Sequence, residues 1–146
     1  MRRFLVNSCL MLVLMPQCAF AKPTLFTGTW TIDLRSTRER KQKEECGSAI
    51  FELKQKGDKI VGNHQMATVG CGRLNGGGEG TVKGIVVGHT AVLVVTSGRN
   101  GAVVLGRATL KGSALVWETL EDITPGDPPS DSPLILGQGT LQRVGK

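Results

Sequence analysis

The chain contains no tyrosine, and its 146 residues hold only two Trp and four Phe. Exposed aromatic platforms of the kind that stack single-stranded bases are therefore scarce, and nucleic acid is not an expected partner. Of four Cys, only Cys46 and Cys71 lie beyond residue 21, and no C-x-x-C occurs. The two His, His64 and His89, lack the spacing of a metal motif. No G-x-S-x-G is present, and Ser48, Ser97 and Ser113 have no His close in sequence. These absences predict a protein without catalytic residues, metal or cofactor. The one long apolar run, Phe4 to Met15, is too short to cross a bilayer.

Glycine is what the chain has in quantity, at 20 residues. Each Gly inside a helix costs about 1 kcal/mol against Ala, which argues against a helical bundle. The glycines follow no three-residue period, so collagen is excluded. With 40% hydrophobic and 21% charged residues the chain is not expected to be disordered. A small, turn-rich β protein remains. The tract Gly76-Gly77-Gly78-Glu79-Gly80 is read as a rim loop, because no helix follows to hold a phosphate.

Residues 1–21 read as a cleaved secretory signal peptide. Arg2 and Arg3 form the positive start, the apolar run follows, and Ala19-Phe20-Ala21 supplies small residues at the cleavage site. Gln17 before Cys18 stands where a lipobox needs a small residue, so a lipid anchor is not expected. Loss of Arg2 and Arg3 takes the net charge from +6 to +4. Residues 22–146 would form one domain, periplasmic or secreted, with no membrane segment after cleavage. Two cysteines in an exported domain predict one disulfide, Cys46–Cys71.

Turn signals divide the exported part into eight expected strands: 26–34, 48–56, 59–67, 79–87, 90–97, 102–110, 114–122 and 134–143. Their connections include Gly57-Asp58, Gly88-His89, Arg99-Asn100-Gly101 and Lys111-Gly112-Ser113, with a type I′ turn expected at Asn100-Gly101. A charged loop at 35–45 and a proline-rich loop at 123–133 are the longest gaps. A meander of eight strands with short connections closes most simply as an antiparallel up-and-down barrel, which leaves no exposed edge. In the hairpin about Gly57-Asp58, position 69 falls opposite Cys46, so the disulfide would pin the hairpin's open end.

The first strand carries Gly28-Thr29-Trp30, and Thr27 to Leu34 reads Thr-Gly-Thr-Trp-Thr-Ile-Asp-Leu. A G-x-W on the first strand of an eight-stranded meander resembles the lipocalin and avidin group of small barrels. The resemblance implies a Trp packed across the closed end of the barrel. It does not carry biotin binding over, because Ile32 stands where avidins hold an Asn and no residue can replace their ureido-binding Tyr. The signal peptide, early Trp and single disulfide also resemble bacterial periplasmic inhibitors of secreted metalloproteases. There the N-terminal segment enters the protease cleft, a role that would fall to residues 22–26. Ser97-Gly98 is similar to the start of the Ser-Gly-x-x-Tyr motif of lysozyme inhibitors, without its Tyr.

Two sets of residues are candidates for binding. Trp30, His64, Met66 and Trp117 are expected on inner faces, as core or as the lining of a ligand pocket. Val92, Val94, Val103 and Leu105, with Arg99 in the turn between, form a strand pair that is apolar on both faces. A half-wet strand should alternate, so the outward set is expected either to lie under a loop or to face a protein or a second copy. His89 is expected in solvent. The resulting expectation is a non-enzymatic binding module for a small ligand or a protein partner, with a periplasmic hydrolase inhibitor of metalloprotease or lysozyme type as the alternative.

Overall fold

Alternation of apolar and polar residues builds most of this molecule, and the clearest case is the second strand, whose inward positions Ala49, Phe51 and Leu53 are all buried. The computed structural model describes residues 25–127 and 134–145; the expected signal peptide lies outside the described residues. In chain order the elements are β1 (Gly28–Asp33), α1 (Thr37–Lys41), β2 (Cys46–Lys56), β3 (Lys59–Val69), β4 (Leu74–Gly76), β5 (Val82–Val87), β6 (Thr90–Thr96), β7 (Val103–Lys111), β8 (Ala114–Thr124) and β9 (Gln138–Val144).

Eight of these strands close into an antiparallel barrel. Each of β1, β2, β3, β5, β6, β7, β8 and β9 pairs with its neighbours in that order, and β9 returns to pair with β1, Thr29 opposite Val144. The ninth strand, β4, occupies three residues of the expected glycine-rich loop. It extends the edge of β3 past the point where β5 ends, placing Asn75 opposite Met66.

The two ends of the barrel differ. At the hairpin end the turns at 57–58, 88–89 and 112–113 are tight, with Lys56 facing Lys59, Val87 facing Thr90 and Lys111 facing Ala114. Gly57, Gly88 and Gly112 supply the positive φ these turns need. At the loop end lie the α1 connection, residues 70–81, the β6–β7 turn and the return from β8 to β9.

The disulfide forms as expected. Cys46 and Cys71 are bridged at a Cα separation of 5.3 Å, and Val69 is the register partner of Cys46. Both cysteines hold positive φ, 60° and 59°, next to Gly47 and Gly70 in the same region.

Two local expectations are corrected. Asn100 does not adopt positive φ, so the β6–β7 connection is not a type I′ turn. Gly101 alone is left-handed, Ser97 N–H donates to Ala102 O, and the Asn100 carboxamide oxygen accepts from Ala102 N–H. The Asn side chain closes a wider loop in place of the two-residue turn. The charged segment 35–45 also holds a helical turn. Ser36 caps α1 by accepting from Glu39 N–H, while the Glu39 carboxylate accepts from Ser36 N–H.

Candidate functional site

The barrel interior is filled. Phe26, Trp30, Phe51 and Trp117 are all at most 1% exposed, so every aromatic side chain beyond residue 21 is spent inside. Trp117 leans onto the adjoining strand, where its six-membered ring lies against Gly106 of β7, two positions along from its own register partner Ala108. A Cβ at Gly106 would fall 1.9 Å from Trp117 Cη2, so the glycine makes room for the indole. Phe51 stacks at a tilt on Trp117 with ring centroids 5.0 Å apart.

Both ends are stoppered. At the hairpin end the Trp30 indole N–H donates to Phe26 O, and Phe26 N–H donates to the Gln55 carboxamide oxygen. Arg143 of β9 lies over the Trp30 ring, 4.4 Å from its centroid, and donates to Leu25 O. Phe26 is thus part of the core and is not available to enter a partner's cleft. At the loop end the Trp117 indole N–H donates to Leu136 O, and Ile135 N–H donates to the carboxamide oxygen of buried Asn75. The chain after the proline-rich loop therefore covers the mouth.

Of the residues expected to line a pocket, Trp30, His64, Met66 and Trp117 all face inward and are buried. They do not converge on one cavity. Trp30 borders a cleft at the hairpin end with Leu110 and Arg143, and Met66 borders one at the loop end with Leu74 and Asn75. His64 and Trp117 line neither. The His64 Nδ1 pairs with Thr81 Oγ1 at 3.1 Å, while its Nε2 meets no hydrogen-bond partner. Burial pushes its pKa down to about 4, because the cation would lose its hydration. His89 is exposed in its turn, as expected.

The outer wall carries the second candidate set. Ala91, Leu93, Val95 and Val104 point inward, and Val92, Val94, Val103 and Leu105 point outward. Val94 stands opposite Leu105 and Val92 opposite Ile85 of β5. Among the described residues Val92 is 38% exposed, Ile85 56% and Val87 72%, while Val94, Val103 and Leu105 are half-buried. Most of the proline-rich loop that could cover them, 128–133, lies outside the described residues. Arg99 lies exposed in the β6–β7 turn at the rim of the patch. Ile85 and Val87 enlarge a surface the sequence had assigned to β6 and β7 alone. Their alternation with Val82, Gly84 and Val86 was the available signal.

The rim at α1 is electrostatically organised. Arg35 grips Asp33 through both carboxylate oxygens, and its hydrogen bonds lower the Asp33 pKa to about 2. Among the described residues no group of three or more His, Cys, Asp or Glu forms a metal site, and no helix is long and apolar enough to cross a membrane. Compared with known proteins, the chain matches no family model, no curated protein and no solved structure.

Proposed function

We propose that this chain is an exported, non-enzymatic, lipocalin- or avidin-like barrel that binds a protein surface through its outer wall at β5, β6 and β7. One contrast carries this reading: the interior is packed and stoppered at both ends, while Ile85, Val87 and Val92 stay in water beside Val94 and Leu105. A contiguous apolar patch on the outer wall marks a contact site. A packed interior has no room for the ligand that open barrels carry. A signal peptide and a structural disulfide suit the periplasm or the exterior. Inhibition of a secreted hydrolase is one form the reading takes, with the wall and Arg99 as the contact surface.

The test compares the parent with Ile85→Asp/Val87→Asp, with the fold checked by circular dichroism. Light scattering detects self-association, and capture from a periplasmic extract detects another protein. A stoichiometric partner, or a dimer, that the double variant loses supports the proposal. Equal binding by both proteins, or a small molecule retained at unit stoichiometry in native mass spectrometry, overturns it.

A further inference from the structure

His64 sits where β3 has lost its pairing to β5 and has not yet begun its pairing to β4. Past Gly62, β3 no longer pairs with β5, and the gap is closed by backbone contacts among glycines. Gly80 N–H donates to Gly62 O, Gly98 N–H donates to Gly76 O, and Thr96 N–H donates to Thr81 O. Gly77 and Gly98 approach so closely that a Cβ on Gly98 would lie 2.4 Å from Gly77 Cα. This seam joins the β4–β5 segment to the β6–β7 turn with few side chains to reinforce it. Thr81 stands at its centre: its carbonyl accepts from Thr96, its methyl lies beside Gly77, and its hydroxyl holds His64 Nδ1.

The neutral imidazole suits this place, because one nitrogen is satisfied by Thr81 and the other can present a lone pair to apolar surroundings. The imidazolium does not, because both nitrogens become donors and the charge is buried. No opposite charge compensates. The inward side chains of β2 are Ala49, Phe51 and Leu53, β4 presents Asn75, β5 presents Val82 and β8 presents Trp117. Among the described residues the buried polar side chains are Gln55, His64, Asn75 and Ser97, so no carboxylate or amine faces the ring. Glu52 and Glu79, nearby along the chain, are exposed.

We propose that His64 is an acid-operated latch: its protonation opens the glycine seam at the loop end while the rest of the barrel stays closed. The seam is the part of the wall next to the ring, and breaking three backbone bonds there gives the cation access to water. The latch is independent of what the outer wall binds.

The size of the effect follows from linkage. In an open seam the ring would titrate near its ordinary 6.5, against about 4 when closed. Opening at pH 5 is then favoured about twentyfold more than at pH 7. The experiment is amide hydrogen exchange on the folded protein at pH 7 and pH 5, corrected for intrinsic rates, with an NMR titration of the His64 ring. Protection at Gly80, Thr96 and Gly98 should fall about twentyfold, with no comparable change in the β7–β8 ladder. His64→Gln, which keeps a partner for Thr81 and cannot be protonated, should abolish the fall. Unchanged seam protection, equal loss in His64→Gln, or uniform loss across the barrel overturns the proposal. If His64→Gln does not fold, the parent alone decides: a His64 ring that titrates near 6.5 overturns it.

Discussion

Gly106→Ala tests whether the interior is as full as the geometry requires. The new Cβ would lie 1.9, 2.3 and 2.7 Å from Trp117 Cη2, Cζ2 and Cζ3. The indole has nowhere to retreat, being buried, bonded to Leu136 O at 3.0 Å and stacked on Phe51. Gly106 lies outside the left-handed region, so Ala meets no backbone strain and the conflict is purely steric. Overpacking costs about 1–3 kcal/mol, and a displaced indole forfeits a hydrogen bond of about 1 kcal/mol. The smaller entropy of the unfolded Ala chain returns about 0.5–1 kcal/mol. The expected net loss is about 2 kcal/mol, read as a lower guanidinium midpoint by tryptophan fluorescence and about 6 °C in Tm. Gly78→Ala, where a Cβ meets nothing within 4 Å, is the matched control and should change little. A double-mutant cycle with Trp117→Leu should remove most of the penalty. Equal stability of Gly106→Ala and the parent, or the same penalty without the indole, would refute the filled-barrel reasoning.

Replacing Cys46 and Cys71 by Ser should cost about 3 kcal/mol in urea unfolding, from reopening a loop whose ends are 25 positions apart. The same pair changed to Gly should recover part of that, because both positions hold positive φ. Gly98→Ala should destabilise the seam, since its Cβ would strike Gly77 Cα and Gly76 O, and exchange at Thr96 should accelerate first. The Asp33 carboxyl should titrate near 2 by NMR, because the ionised form keeps its bonds to Arg35. Its folded pKa is depressed, so its contribution to stability is present above the ordinary carboxyl value near 3.8 and is lost as pH falls through about 2. Arg35→Ala should return the titration toward the ordinary value, and an unchanged pKa would remove Arg35 as the cause.

The barrel was legible because strand and turn signals are local. Gly57, Gly88 and Gly112 each stand between alternating runs, and the register they imply places Val69 opposite Cys46. The stoppers were not legible, because they depend on contacts between distant segments. Nothing near Leu136 says that its carbonyl will receive the Trp117 indole N–H from 19 positions away, or that Asn75 will hold Ile135 from 60. The α1 turn is different: Ser36 and Glu39 form a capping box that sequence spacing could have shown. The Asn100 turn fell between these cases, since a strong dipeptide signal yielded to Ser97 and Ala102 pairing one step further out.

The shortage of aromatics bears on function through where they went. Only Phe26, Trp30, Phe51 and Trp117 lie beyond residue 21, and all four are needed inside: two at the hairpin end, two stacked across the middle. A barrel that kept a cavity would leave some of these rings free to line it. Here Gly106 has surrendered its side chain so that Trp117 can fill the interior, and Leu136 covers the indole's polar end. The outer wall, by contrast, keeps Ile85, Val87 and Val92 in water, where polar residues would serve solubility better. That contrast, every ring packed inside and branched aliphatic residues left outside, is the ground on which the outer wall rather than the interior is proposed as the recognition surface.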